Sequence, residues 1–161
     1  MQNGFGNALA RLARPSLIML MLICGTVPGF SWAALGGDME SVDEDQGNLN
    51  ASEQITVSGE SYTVYELSIA TGTVVREYLS LDGKVFAVTW KGPLLPDLRQ
   101  ILGSYFKQYS ESASSKHGDH GHLVVRDPDL VVESGGHMRA FFGRAYLPKA
   151  MPPEVAVSDI K

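Results

Sequence analysis

The residues best able to do chemistry fall in two groups. All four histidines occur as His117-Gly118-Asp119-His120-Gly121-His122 and as His137. Neutral imidazoles beside a carboxylate can ligate zinc, copper or nickel, so His117, Asp119, His120 and His122 form a candidate divalent-metal set. Their spacing matches no defined zinc motif and the run is rich in glycine, which makes a solvated loop the primary reading and a metal site the alternative.

The second group is Glu77, His137, Arg139 and Arg144. Glu77 falls on the apolar side of a strand, where burying an unpaired charge costs roughly several kcal/mol, so it needs a partner or an edge location. Arg139 or Arg144 is the expected partner. A general acid or base with a raised pKa is the sharper alternative for the same glutamate. No Gly-x-Ser-x-Gly elbow accompanies His137, and no phosphate-binding glycine loop precedes a Lys-Ser/Thr pair. The expectation is therefore a non-enzymatic protein with no catalytic residues and no cofactor.

The elements that must position these residues centre on 73–109. Two β-prone runs flank Asp82-Gly83, which predicts a two-residue type I′ hairpin. That register puts Leu81 opposite Lys84, Leu79 opposite Phe86, Glu77 opposite Val88 and Val75 opposite Trp90, all on one face. Tyr78 with Ala87 and Arg76 with Thr89 share the other, which suits partial exposure. Leu98, Ile101, Leu102, Tyr105, Phe106 and Tyr109 then recur at helical spacing, predicting one amphipathic helix over 96–110 with Gly103 as its weak point.

Upstream, 54–58 and 62–69 read as strands joined at Gly59-Glu60, and Ala70-Thr71-Gly72 leads into the hairpin. Downstream, 110–121 reads as a loop, 123–126 and 130–133 as short strands, Ser134-Gly135-Gly136-His137 as a turn, and 138–147 as a strand broken at Gly143. The expected fold class is α+β: an antiparallel sheet of about five to seven strands with one main helix on one face.

The first third has a different character. Arg11 and Arg14 precede an apolar run from Ser16 to Val27, Pro28-Gly29 breaks it, and Ser31-Trp32-Ala33 presents small residues at both recognition positions. This is the pattern of a signal peptide over 1–33, cleaved after Ala33, leaving no stable membrane anchor. Cleavage would remove Cys24, the only cysteine, so the remainder must be held by its core. Of the 13 Lys and Arg, two leave with the signal, so the 18 acidic residues dominate further and argue against nucleic acid as a partner. The acids Asp38, Glu40, Asp43, Glu44 and Asp45 suggest a flexible leader over 34–52. A single domain over 53–148 and a loosely docked C-terminal tail over 149–161 complete the reading.

Several phrases resemble a known family in their order along the chain. They are Val75-Arg76-Glu77-Tyr78, Val85-Phe86-Ala87-Val88, Trp90-Lys91-Gly92-Pro93, Pro96-Asp97-Leu98, Gly103-Ser104-Tyr105-Phe106, Gly136-His137-Met138-Arg139-Ala140-Phe141 and Gly143-Arg144-Ala145-Tyr146-Leu147-Pro148. Together with Leu35-Gly36-Gly37 they are similar to the bacterial family called domain of unknown function 2844. The resemblance implies exported proteins of Gram-negative bacteria with no assigned activity. It favours a Gram-negative periplasm over a eukaryotic secretory route. Export together with the lack of a catalytic constellation points to a periplasmic or secreted binding or assembly module that presents its uncovered sheet face or an edge strand to a protein or cell-envelope partner.

Overall fold

The computed structural model describes residues 35–115 and 122–161. The expected signal peptide, and with it the cleavage after Ala33, lies outside them. So do His117, Asp119 and His120.

Seven antiparallel strands form one sheet in the order β1-β2-β3-β4-β7-β6-β5. They are β1 (Ala51–Ser58), β2 (Tyr62–Ile69), β3 (Val74–Ser80), β4 (Val85–Gly92), β5 (His122–Arg126), β6 (Val131–His137) and β7 (Ala140–Tyr146). The first four make the expected meander. The chain then crosses to the far edge and returns, so that β7 closes against β4.

Helices α1 (Met39–Asn48), α2 (Leu98–Leu102) and α3 (Phe106–Ser115) belong to one side of the sheet, where Val42, Leu49, Leu98, Ile101 and Leu102 join the core of Leu67, Val75, Leu79, Val88, Trp90, Val132 and Ala145. The other side carries a smaller cluster of Tyr78, Phe86, Ala87, Val155 and Ile160, edged by Tyr62, Val64, Tyr146 and Met151.

The central hairpin keeps its expected register in its body and loses it at its tip. Val75 pairs with Trp90, Glu77 with Val88 and Tyr78 with Ala87, but Leu79 pairs with Val85 across a bulge. The turn is longer than two residues: the Ser80 amide donates to the Lys84 carbonyl, and the Gly83 amide to the Ser80 carbonyl. Leu81, Asp82 and Gly83 form the loop, with positive φ only at Gly83 (+72°). This is the geometry of a type I turn closed by a glycine bulge. The bulge reverses the side of Phe86, which leaves the helix-covered core for the opposite cluster, and Leu81 is 75% exposed.

The expected single helix over 96–110 is broken and longer. Asp97 caps α2 by accepting from the Arg99 amide. Gly103, at φ +49° and ψ −122°, ends α2, and a 3₁₀ turn over Gly103–Tyr105 leads into α3, which runs on to Ser115 through part of the expected loop. The break lets Leu98, Ile101 and Leu102 sink fully while Tyr105, Phe106 and Tyr109 pack at the margin. At the β6–β7 connection, Ser134–His137 is strand, and the turn is Met138-Arg139 with Arg139 at φ +65°.

Both ends expected to be loose are part of the fold. Asp38 caps α1 by accepting from the Ser41 amide, and Ser41, Val42, Asp45 and Leu49 are buried, so 34–52 is not a flexible leader throughout. The 149–161 segment is also firmly docked: Ile160 is 1% exposed on the side away from the helices. The folded unit therefore extends past 53–148 in both directions.

Two substitutions check this packing. Ile160→Ala is expected to cost about 2–4 kcal/mol in urea denaturation, the range for a buried isoleucine. Gly143→Ala would place a Cβ 2.3 Å from the Trp90 ring and is expected to cost about 1–3 kcal/mol through overpacking.

Candidate functional site: a groove beside the docked tail

On the side away from the helices, alternate residues of the paired strands form rows. One row, Glu66–Arg76–Thr89–Arg144–Glu133, follows from the pairings of β2 through β6. The tail closes on this row. The Lys161 carbonyl accepts from the Tyr78 hydroxyl (2.7 Å), Thr89 Oγ1 (3.2 Å) and Arg76 Nη1 (3.2 Å), and the Lys161 amide donates to the Tyr78 oxygen (2.9 Å). Arg144 donates through Nη1 to the carbonyl of Val157 (2.9 Å) and through Nε and Nη2 to Glu133 (2.9 and 2.6 Å). Arg76 likewise holds Glu66 at 2.6 Å.

The tail covers only part of this side. Next to it lies a groove of about 500 Å³ bordered by Lys91, His122, Val124, Phe142, Arg144 and Ile160, among others. Its outer row is Lys91, Phe142, Gly135 and His122, supplied in register by β4, β7, β6 and β5. Gly135 is the position that needs to be glycine: a Cβ there would lie 2.7 Å from the His122 ring and 3.0 Å from Phe142. Without it the two rings meet edge-on with centroids 5.8 Å apart. Phe142 remains 47% exposed, and Lys91 is exposed with no carboxylate partner among the described residues. Arg76, Lys91, Arg144 and Lys161 line the groove with one acidic side chain, Glu133, in a chain whose formal charge is −5. An apolar wall beside an unpaired cation suits a ligand with an anionic group and an apolar body.

The expected polar cluster is not one site. Glu77 lies on the helix side, whereas Arg144 lies across the sheet among tail carbonyls. His137 and Arg139 are exposed at the β6–β7 turn, bordering a shallow depression with Lys91 and Phe141. Neither Arg139 nor Arg144 pairs with Glu77. Among the described members of the candidate metal set, His122 sits on edge strand β5 with its ring against Phe142. No group of three or more His, Cys, Asp or Glu gathers among the described residues.

The neighbour of Glu77 is another acid, Asp45 of α1. Both residues are fully buried. Asp45 Oδ1 accepts from Gln100 Nε2 at 3.0 Å. Apart from the contact between the two carboxyls, Asp45 Oδ2, both Glu77 oxygens and Trp90 Nε1 have no hydrogen-bond partner among the described residues. Burial pushes the Asp45 carboxyl up to about 6, offset in part by hydrogen bonding to Glu77 and Gln100. Burial, followed by the hydrogen bond and charge of Asp45, raises Glu77 well above the ordinary glutamate range. Two carboxyls that share a proton form one hydrogen bond where two carboxylates form none.

Lys91, Phe142, Gly135 and Asp45 were not singled out by sequence reasoning. Asp45 had a signal: Asp38 as N-cap followed by Val42, Asp45 and Leu49 on one helical face, hidden within a run of acids.

Gly135→Ala is expected to force the His122 and Phe142 rings apart, seen as loss of the ring-current shift on the His122 Cε1 proton. A second check concerns Glu133, held below the ordinary glutamate range chiefly by its hydrogen bond to Arg144, against the opposing effect of burial. That pair stabilises the fold above the unfolded glutamate value and fades as the pH falls through the lowered one. An NMR titration of Arg144→Met should show the Glu133 carboxyl moving back up.

No helix among the described residues is long and apolar enough to cross a membrane. No curated protein and no solved structure matches the chain. A family model described as a protein of unknown function (DUF2844) matches residues 31–160, taking in the sheet, the helices and nearly all of the docked tail. By that match the chain belongs to the DUF2844 family.

Proposed function

We propose that this protein is an exported, non-enzymatic binding module of the bacterial cell envelope, and that the groove beside the tail is its ligand site. Export rests on the signal pattern over 1–33, with Arg11 and Arg14, the Ser16–Val27 apolar run and Ser31-Trp32-Ala33. It places the protein in the periplasm or outside the cell.

The observation that carries the binding role is the pairing of exposed Phe142 with Lys91, which has no carboxylate partner among the described residues, along the floor of a concave surface. An apolar wall of this kind supplies affinity, and a fixed cation supplies orientation. The ligand is an envelope component with a carboxylate or phosphate next to an apolar segment. Arg76 and Arg144 frame the groove while their charges are met by Glu66 and Glu133, so Lys91 is left to meet the ligand's anion.

The test is capture from envelope extract on immobilised protein, with a Phe142→Ser/Lys91→Glu double variant alongside. The parent should retain a component that salt releases, and the double variant should lose at least about tenfold of it, since 1.4 kcal/mol of lost contact corresponds to that factor. Equal recovery by both proteins, or no specific component with either, counts against the proposal.

A further inference from the structure

The fold contains a second unusual feature, independent of the groove and on the opposite side of the sheet. Asp45 and Glu77 come from different elements, α1 and β3, and act on one another where neither side chain touches solvent and where Asp45 Oδ2 and both Glu77 oxygens find no other partner among the described residues. Among the described residues, no counter-charge acts on either carboxyl. The groups acting on Asp45 are Glu77, the neutral Gln100 of α2 and the acidic Glu44 of α1; those acting on Glu77 reduce to Asp45. Tyr65 of β2 is near enough to α1 for its hydroxyl to approach Met39 Sδ at 4.0 Å. No lysine or arginine among the described residues takes part.

Two ionised carboxylates closed in together would each lose hydration and repel the other. A proton between them removes both penalties and turns the repulsion into a hydrogen bond across the α1–β3 contact. The geometry points to a proton-operated latch: α1 stays seated on the sheet while a proton is held between Asp45 and Glu77, and it lifts when that proton is lost.

The consequence for pH runs opposite to that of a salt-bridged acid. The seated state binds a proton that the lifted state, with its carboxyls in water, releases. Seating is therefore strongest below the ordinary carboxyl range and weakens as the pH rises through the raised values. Lifting α1 would uncover the surface now occupied by Val42 and Leu49, without requiring β4–β7 or the tail to move.

Native-state hydrogen exchange on the full chain tests this, with protection corrected for the intrinsic pH dependence of exchange. The opening equilibrium of amides in 42–49 should rise on the order of tenfold per pH unit between about 4 and 6 for each proton released, while amides of β4 and β7 stay level. Glu77→Gln supplies an amide donor to the Asp45 carboxylate and should keep α1 seated at alkaline pH. Asp45→Asn does the reciprocal and serves if the first variant fails to fold. A flat profile in the parent, an unchanged slope in both variants, or absence of α1 protection at every pH overturns the latch. Protection restored at alkaline pH by sodium or calcium chloride also overturns it, in favour of a bound cation.

Discussion

Strands β3 and β4 are buried on both faces, and a strand pair of that kind cannot be completed by one covering layer. Val75, Val88 and Trp90 need apolar neighbours on one side, while Tyr78, Phe86 and Ala87 need them on the other. The helices meet the first requirement. Among the described residues no α-helix meets the second, and the 149–161 segment takes that place with Val155, Ile160 and Met151. Its irregular backbone then has polar groups to satisfy next to a sheet, which explains why Tyr78, Thr89, Arg76 and Arg144 all hydrogen-bond to tail main-chain atoms.

That solution divides the tail side in two. Where the tail lies, aromatic rings pack: Tyr62, Tyr78 and Phe86 have centroids about 6 Å apart in tilted and edge-on arrangements. Beyond the tail, β5, β6 and β7 remain open, and glycine at 135 leaves a hollow floored by two rings. The ion pairs of Arg76 and Arg144 form the border between the covered and open parts. Each of these guanidiniums meets a carboxylate on its own sheet face and a carbonyl from the tail, so the same residues hold the tail down and frame the groove.

The helix side follows a different logic. There the acid among the apolar residues of β3 is Glu77, and the acid that meets it comes from a segment whose composition looked like a solvated leader. Burial of two acids without a cation becomes less costly when they are neighbours, because one can then carry the proton that the other accepts. A chain held without a disulfide among the described residues thus has a titrating contact inside its principal core.

Much of the architecture was legible in local sequence. Two-residue alternation located β2, β3 and β4; helical spacing located the Leu98–Tyr109 stripe; and turn residues separated the strands of the meander, because these signals depend on neighbours within a few residues. The bulge at Phe86 was not legible, since Asp-Gly serves both two- and three-residue loops and the choice depends on which arrangement buries more. The α1 stripe was masked by five acids, whose charges outweigh Val42 and Leu49 in any average along the chain. Glu77 was recognised from its register as a buried charge, but its partner could not be, because Asp45 and Glu77 are brought together only when α1 folds across the sheet. The groove belongs wholly to tertiary structure: Lys91, Gly135, Phe142 and His122 come from four strands whose adjacency exists only once β7 has closed on β4. Local pattern therefore determined which segments are strand or helix and which faces must leave water, whereas long-range packing decided what covers each face, which acid meets which, and where an opening was left.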